Sequence, residues 1–147
     1  MGILPDEIKP AMQGIIPSHV ATCSLDGTPN VTALSQIYYV DADHVALSYQ
    51  FFNKTIKNVR ENPRALAWLV SPETFESWDL ELEFEHSETS GPVFDAMDMQ
   101  IEAIASMTGM KGIFKLKAAD IYRVKSVEKN VGERIPLSQI DTRPGVA

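Results

Sequence analysis

The stretch "YQFFNKTIKNVRENPRA", residues 49–65, decides the fold prediction. Residues 53–64 within it carry a local net charge of +3, from Lys54, Lys57, Arg60 and Arg64 against Glu61. The whole chain has a net charge of -7, so the other 9 Lys and Arg stand against 19 Asp and Glu, a net of -10. An acidic protein that concentrates cations in one short segment is suited to bind a small anion there.

The same stretch predicts a short helix that leads into a buried strand. Asn53 is a suitable N-cap, and Ile56 and Val59 share one apolar face at i, i+3 spacing. Pro63 disfavours helical geometry at the residue before it and so ends the helix. The continuous apolar run at 65–71 then predicts a central strand.

The rest of the chain reads as short strands joined by tight turns, with few helices. The predicted elements are helices at 5–14 and 92–108 and strands at 18–24, 30–40, 45–49, 79–86 and 113–127, the last bent or broken near Ala118–Asp120. No regular strand–helix–strand alternation indicates a parallel sheet. The order predicts a mainly β protein, a closed or nearly closed antiparallel barrel with peripheral helices.

Length and composition limit the class of protein. A chain of 147 residues suits one domain, which we place at 1–128, followed by a Pro- and Gly-containing tail at 129–147. No apolar run reaches the length of a membrane span, and the N-terminus lacks the basic start of a secretory signal. One cysteine excludes an internal disulfide, which fits a cytoplasmic protein. The acidic balance argues against nucleic acid as a partner.

An alternating acidic segment at 79–86 offers a possible acid–base site, but its spacing favours a solvated strand face. Every second residue is acidic, and the apolar residues between them face the other way: Asp79, Glu81, Glu83 and Glu85 against Leu80, Leu82 and Phe84. His86 continues the apolar phase, so we expect it to be packed or at the rim of the core. No residue in the sequence stands out as an obligatory catalytic acid or base.

The remaining reactive side chains show no recognisable site pattern. The three histidines lack the spacing of metal ligands, and no nucleophile elbow or nucleoside-triphosphate loop occurs. We therefore predict no metal site. Cys23 reads as a small buried thiol, and Met97 and Met107 read as core residues of the second helix.

The start of the first basic helix is the strongest candidate binding site. A helix N-terminus presents unpaired N–H groups and a partial positive charge, which favour a phosphate. Side chains able to converge there are Ser48, Tyr49, Gln50, Asn53, Lys54 and Thr55. Hydrogen bonds that involve a charged group contribute roughly 1.5–3 kcal/mol each, so several together hold a phosphate tightly.

These segments resemble the pyridoxamine-phosphate-oxidase-like, FMN-binding split-barrel family. The similar segments are "ATCSLDGTPNVTALS", "VALSYQ" and above all "NKTIKNVRENPRALAWLV", and the resemblance covers about residues 15–126. It implies a six- to seven-stranded antiparallel split barrel, FMN as cofactor, and a homodimer with two flavins at the subunit interface. A small-molecule substrate is then expected.

The resemblance also implies roles for particular residues. Asn53, Lys54 and Thr55 would hold the flavin phosphate, with Lys57 and Asn58 nearby. The second strand would run along the ring system through its backbone and Ser35, and Ser48 and Tyr49 would flank the ribityl chain. That strand contributes Thr32, Ala33, Leu34, Ser35 and Gln36. A partner subunit would reach the cofactor near Ser77 and Trp78.

The sequence departs from the named oxidases of this family at the C-terminus. Nothing in the tail matches their segment with a Trp and Arg residues that grip flavin and substrate, so pyridoxamine-phosphate oxidation is not implied. The expected function is an FMN-dependent oxidoreductase with NAD(P)H as electron donor. The alternatives are a non-catalytic flavin-binding or sensor domain and a deazaflavin- or haem-binding relative. A deazaflavin tail requires further cations, yet residues 65–110 contain none and include ten acids.

Overall fold

The computed structural model describes residues 2–34, 37–49, 53–107, 109 and 115–130. A 3-10 helix at Asp6–Met12 precedes seven strands and two α-helices. In chain order these are β1 (Ser18–Cys23), β2 (Pro29–Leu34), β3 (Ile37–Asp41), β4 (His44–Tyr49), α1 (Asn53–Glu61), β5 (Arg64–Val70), β6 (Ser77–Glu88), α2 (Pro92–Met107) and β7 (Ala118–Asn130). The mainly β prediction is confirmed.

The strands form one antiparallel sheet in the order β2-β1-β5-β6-β7-β4-β3. Its two edge strands, β2 and β3, follow each other in the chain with two residues between them. The chain therefore joins the two edges of the sheet, as expected for a split barrel. The prediction of one strand at 30–40 was wrong, because β2 pairs with β1 whereas β3 pairs with β4 at the far edge.

The barrel interior is filled by alternate residues of the strands and closed by two short helices. Ile8 of the 3-10 helix and Val59 of α1 are both fully buried against this core. The buried strand residues in contact with them include Val20, Val45, Leu69, Leu80, Leu82, Tyr122 and Val124. The predicted inward positions of Ile56 and Val59 are confirmed.

Helix α2 packs on the outside of the barrel rather than at its end. Its apolar stripe includes Met97 and Ile101, which contact Ala46, Ala119 and Ile121 of β4 and β7. Met107 is 88% exposed, so its predicted core position was wrong. At about 100° per residue, ten residues after Met97 place it about 80° away from the stripe. Gly109 adopts φ 72°, as expected for the residue that ends a helix.

The acidic face of β6 is solvated, as predicted, and the structure also shows ion pairs on it. Arg64 reaches Glu81 at 3.1 Å and Lys125 reaches Glu83 at 3.9 Å on this face. The pairing of β6 with β7 shifts register between Phe84 and His86. That irregularity takes His86 out of phase with the core, so it is exposed and lies 3.1 Å from Glu88 instead of packing inward.

Strand β7 begins at Ala118, and residues 115–117 before it are not in a strand, so the predicted strand at 113–127 is interrupted near the expected point. From Ala119 onwards the strand pairs with β4 on one side and with β6 on the other. Cys23 is half-buried rather than fully buried. Of the predicted tail at 129–147, the structure describes only residues 129 and 130. The division into a domain and a tail therefore stays a prediction.

Candidate functional site

A narrow cleft of about 10 Å³, with room for about one water molecule, lies between the start of α1 and the adjacent strands of the barrel. Nine residues line it: Val20, Thr32, Leu34, Leu47, Ser48, Thr55, Ile56, Asp120 and Tyr122. Four of them, Thr32, Leu34, Ser48 and Thr55, were predicted cofactor residues from three separate segments of the chain. The fold therefore brings β2, the end of β4 and the first turn of α1 to one place.

The first turn of α1 is held to β2 by a side-chain hydrogen bond. Asn30 donates from Nδ2 to Thr55 Oγ1 at 3.0 Å. Lys54 in this turn and Lys57 in the next are both exposed, and the first turn contains no acid. The helix start thus combines a fixed hydroxyl, an exposed ammonium group and a partial positive charge, with a second exposed ammonium group one turn later, which suits an anionic ligand.

Asn58 is one turn after Thr55 on α1 and is not among the residues that line the cleft. It is 3% exposed, and its Nδ2 donates to Thr22 Oγ1 of β1 at 3.1 Å. Asn62 adds a hydrogen bond from Nδ2 to the Cys23 carbonyl oxygen at 3.3 Å. These two amides fix the helix on β1, and the position of Asn58 near the phosphate stays a prediction.

Asp120 is a cleft residue that the sequence analysis missed. It is 5% exposed, and Ser87 Oγ donates to its Oδ1 at 2.6 Å. Burial raises the pKa of Asp120 to about 6, against the opposing effects of the Ser87 hydrogen bond and the Arg60 charge. Burial also raises the pKa of Tyr122, and the neighbouring Asp120 charge adds to that rise. The sequence signal for this residue was an acid flanked by the apolar residues Ala119 and Ile121 of β7, which is typical of a buried carboxyl group.

The remaining residues expected along the flavin are only partly placed by the structure. Ala33 is exposed on the face of β2 opposite Thr32 and Leu34, and it pairs with His19. A cofactor would contact it through backbone groups rather than its methyl group. Ser35, Gln36 and Gln50 lie outside the described residues, as do the side chains of Tyr49 and Asn53.

Ser77 and Trp78 lie far from the cleft of their own chain. They begin β6, whereas Ser87 near its other end contacts Asp120. Ten residues at about 3.3 Å each separate Ser77 from Ser87 by about 30 Å along the strand. Trp78 is buried, with the Lys129 ammonium 5.3 Å from the centre of its ring. Contact of these two residues with the cofactor of a second subunit stays a prediction.

A larger cavity, of about 480 Å³, lies elsewhere, between the 3-10 helix, β3 and α2. It is lined by Lys9, Met12, Gln13, Ile37, Tyr38, Tyr39, Gln100 and Ala103. None of the predicted cofactor residues is among them. The cleft at α1 remains the candidate site, because chemistry suited to an anion converges there and not at the larger cavity.

In the described part of the chain, no cluster of three or more His, Cys, Asp and Glu side chains is arranged to hold a metal ion. Nor does any helix of those residues have the length and apolar character needed to cross a membrane.

Two comparisons of the sequence with known proteins find relatives that cover most of the chain. A family model described as "Pyridoxamine 5'-phosphate oxidase" matches residues 4–125. An uncharacterised protein of Methanocaldococcus jannaschii, MJ0282, is 30% identical over 112 residues, which cover 73% of this chain and 72% of that protein.

Solved structures share the fold at low sequence identity. An FMN-binding protein from Syntrophomonas wolfei has a TM-score of 0.70 at 13% identity, covering 86% of this chain and 88% of that one. An F420 reductase has a TM-score of 0.61 at 14% identity, covering 85% and 98%. The haem storage protein HutZ from Vibrio cholerae has a TM-score of 0.56 at 15% identity, covering 87% and 94%. The similarity in fold thus extends across proteins with different named ligands.

Proposed function

This chain belongs to the pyridoxamine 5'-phosphate oxidase family, and from that premise we propose that it is an FMN-binding flavoprotein that acts as an oxidoreductase with NAD(P)H as electron donor. One observation carries the proposal: Thr32, Ser48 and Thr55, from three distant segments, line one cleft at the start of α1. The proposed setting is the cytoplasm.

The phosphate is the part of FMN that the site recognises best. Thr55 and the exposed Lys54 stand at the first turn of α1, where unpaired N–H groups also point outward. A single phosphate matches this compact set of donors. The ring system would then lie along β2, with Thr32 and Leu34 on the cleft side. The flavin itself supplies hydride and electron transfer, and the protein holds and orients it.

A deazaflavin cofactor fits the described charges less well than FMN. The longer anionic tail of a deazaflavin needs cations beyond the helix start, and residues 65–110 contain no Lys or Arg. The acids of β6 on the solvated face, such as Glu83 and Glu85, would repel such a tail if it passed over them.

A haem would need an axial ligand, and no histidine is among the residues that line the described cleft. His19 contacts the Trp68 ring on the outer face of the sheet. His44 lies within 3.1 Å of Glu85 and within 2.9 Å of Asp41. A single-phosphate flavin therefore suits the chain best.

We further propose that two copies assemble as a homodimer with FMN at the interface. The outer face of β2, β1 and β5 exposes Val31, Leu66 and Trp68, which are 65%, 47% and 40% exposed. The register aligns them, because Ala21 pairs with both Val31 and Leu66, and His19 pairs with Trp68. A contiguous apolar face of this kind is typical of a protein–protein interface. The predicted approach of the partner's Ser77 and Trp78 to the flavin is part of this proposal.

The decisive test is the absorbance spectrum of the purified protein, recorded alone and during titration with FMN. We expect bound flavin or a perturbed flavin spectrum, and the absence of both would refute the proposal. Competition with a deazaflavin and with haem then checks the cofactor. If either displaces FMN at comparable concentration, the FMN assignment is wrong.

Stopped-flow mixing of the loaded protein with NADH or NADPH separates an enzyme from a binding module. Rapid bleaching of the flavin absorbance is the expected result for an oxidoreductase. A flavin that stays oxidised would instead support a non-catalytic flavin-binding or sensor domain that uses the same cleft.

A further inference from the structure

Asp120 is a buried acid that lines the cleft at the start of α1, where an anion is proposed to bind. It lies between two neighbouring strands, paired with Leu47 of β4 and, one pair from the end of that ladder, with Ser87 of β6. Its side chain is 5% exposed and lines the cleft together with Ser48 and Thr55. Because Asp120 and Thr55 line the same cavity of about 10 Å³, a phosphate bound at the first turn of α1 would face this carboxyl group across a small, poorly solvated gap.

Few charged groups face Asp120 in the described part of the chain. Arg60 of α1 supplies the attractive charge, and Tyr122 is the titratable neighbour on its own strand. From β6 it receives the Ser87 hydroxyl at 2.6 Å. The cleft residues of β1, β2 and β4 have no charged side chain: Val20, Thr32, Leu34, Leu47 and Ser48. The exposed Lys54 and Lys57 belong to the α1 start, where the phosphate is proposed to sit.

We infer that Asp120 is a specificity-determining residue of this cleft: its carboxyl group takes up a proton when a phosphate-bearing flavin binds, and it disfavours that ligand while it is ionised. The inference rests on the proposed function. Its physical basis is that two negative charges in a site of low dielectric repel each other strongly, whereas a protonated carboxyl can stand beside a phosphate.

The opposing interactions at Asp120 place this proton exchange near neutral pH. Burial raises the pKa of Asp120 to about 6, while Ser87 and Arg60 hold it from rising further. A bound phosphate adds a negative charge on the other side of the cleft and moves the pKa higher still. With a rise of about one pKa unit, Asp120 is mostly ionised in the empty cleft and mostly protonated with FMN bound at pH values a little above 6.

The test compares FMN and riboflavin, which differ by the phosphate, on the wild type and on Asp120→Asn. Flavin fluorescence quenching gives the Kd of each pair at several pH values between 5.5 and 8.5. The quantity to compare is the wild-type Kd divided by the variant Kd. This ratio removes the titration of the FMN phosphate itself, whose second pKa is about 6.

For FMN we expect the ratio to rise on the order of tenfold between the acidic and alkaline ends, since one pKa unit corresponds to tenfold. For riboflavin we expect it to stay flat. A flat ratio for FMN, or the same rise for both flavins, would overturn the inference while leaving the proposed function intact. If neither flavin binds either protein, the proposed function fails and the inference fails with it.

A second variant keeps the inference testable if Asp120→Asn does not fold. Ser87→Ala retains the carboxyl group but removes a hydrogen bond that favours its ionised form. The wild-type Kd divided by the Ser87→Ala Kd should therefore exceed one for FMN near pH 7.5, and it should equal one for riboflavin. A value of one for both flavins would overturn the inference.

Discussion

Asn58 of α1 donates a hydrogen bond to Thr22 of β1, from Nδ2 to Oγ1 at 3.1 Å, and both side chains are buried. This bond joins the helix that carries the proposed phosphate site to the interior of the barrel, 36 positions earlier in the chain. The orientation of the first turn of α1 therefore depends on a contact that lies outside the cleft.

We predict that Asn58→Ala lowers the free energy of unfolding by about 1–3 kcal/mol, because it leaves the buried Thr22 hydroxyl without its partner. Urea denaturation followed by circular dichroism measures the change. Lys57→Ala, at the exposed neighbouring position, is the control and should change stability by less than about 0.5 kcal/mol. In a double-mutant cycle, Thr22→Val should be less harmful in the Asn58→Ala background than alone; additive effects would contradict the pairing.

Asp120 should make the stability of the unliganded protein depend on pH. Its pKa is about 6 in the folded protein against the ordinary value of 3.8, so the folded state holds the proton more tightly than the unfolded chain. Proton binding at Asp120 therefore contributes its full amount to the free energy of unfolding below about pH 4. That contribution is lost as the pH rises through about 6, and a difference of two pKa units makes the loss about 3 kcal/mol.

The measurement is urea denaturation of the wild type and Asp120→Asn at pH 4 and pH 7.5. The variant should gain stability relative to the wild type by up to about 3 kcal/mol between these values. Comparing the two proteins cancels the titration of the other carboxylates. A difference that does not change with pH would show that the Asp120 carboxyl is not perturbed by burial.

Lys54→Ala should weaken FMN binding by about 10- to 100-fold, because one charge-assisted hydrogen bond contributes roughly 1.5–3 kcal/mol. Riboflavin, which has no phosphate, should bind the variant and the wild type alike. Glu83→Ala, on the solvated face of β6, is the matched control and should leave both affinities unchanged. An equal loss in the two variants would show that the phosphate does not sit at the start of α1.

Val31→Glu should convert the proposed dimer to a monomer, because it places a charge in the apolar face of β2, β1 and β5. Val31 is 65% exposed in the single chain, so the substitution should leave the fold intact. Sedimentation velocity at micromolar concentration reports the change. Met107→Glu, an exposed apolar residue on α2, is the control and should remain dimeric. A wild type that sediments as a monomer would refute the assembly itself.

Local sequence patterns were enough to predict most helices and strands and the part of the candidate site at the first turn of α1. The amphipathic spacing of Ile56 and Val59, the Asn-Pro stop and the apolar run after it predicted α1 and β5 within a residue or two. The alternation at 79–86 predicted a solvated strand face, because strand periodicity depends on nearest neighbours alone. Thr55 and Ser48 were expected at one site, and the structure brings them into one cleft.

Other features depend on partners distant in the chain, which local periodicity does not encode. The chain at 30–40 divides into β2 and β3 because each half pairs with a different strand. His86 leaves the core because β6 slips in register against β7. Both outcomes are set by pairing across the sheet.

By itself the sequence determined that this protein is a mainly β chain with one basic helix start suited to a phosphate, since charge and periodicity are properties of neighbouring residues. The tertiary structure alone decided which polar side chains face the cleft. It turns Asn58 inward onto Thr22 and places Asp120, from 65 positions further along the chain, beside Thr55. Burial and a low local dielectric arise only once the strands have closed around these groups. They make the Asn58 hydrogen bond a contribution to stability and raise the pKa of Asp120.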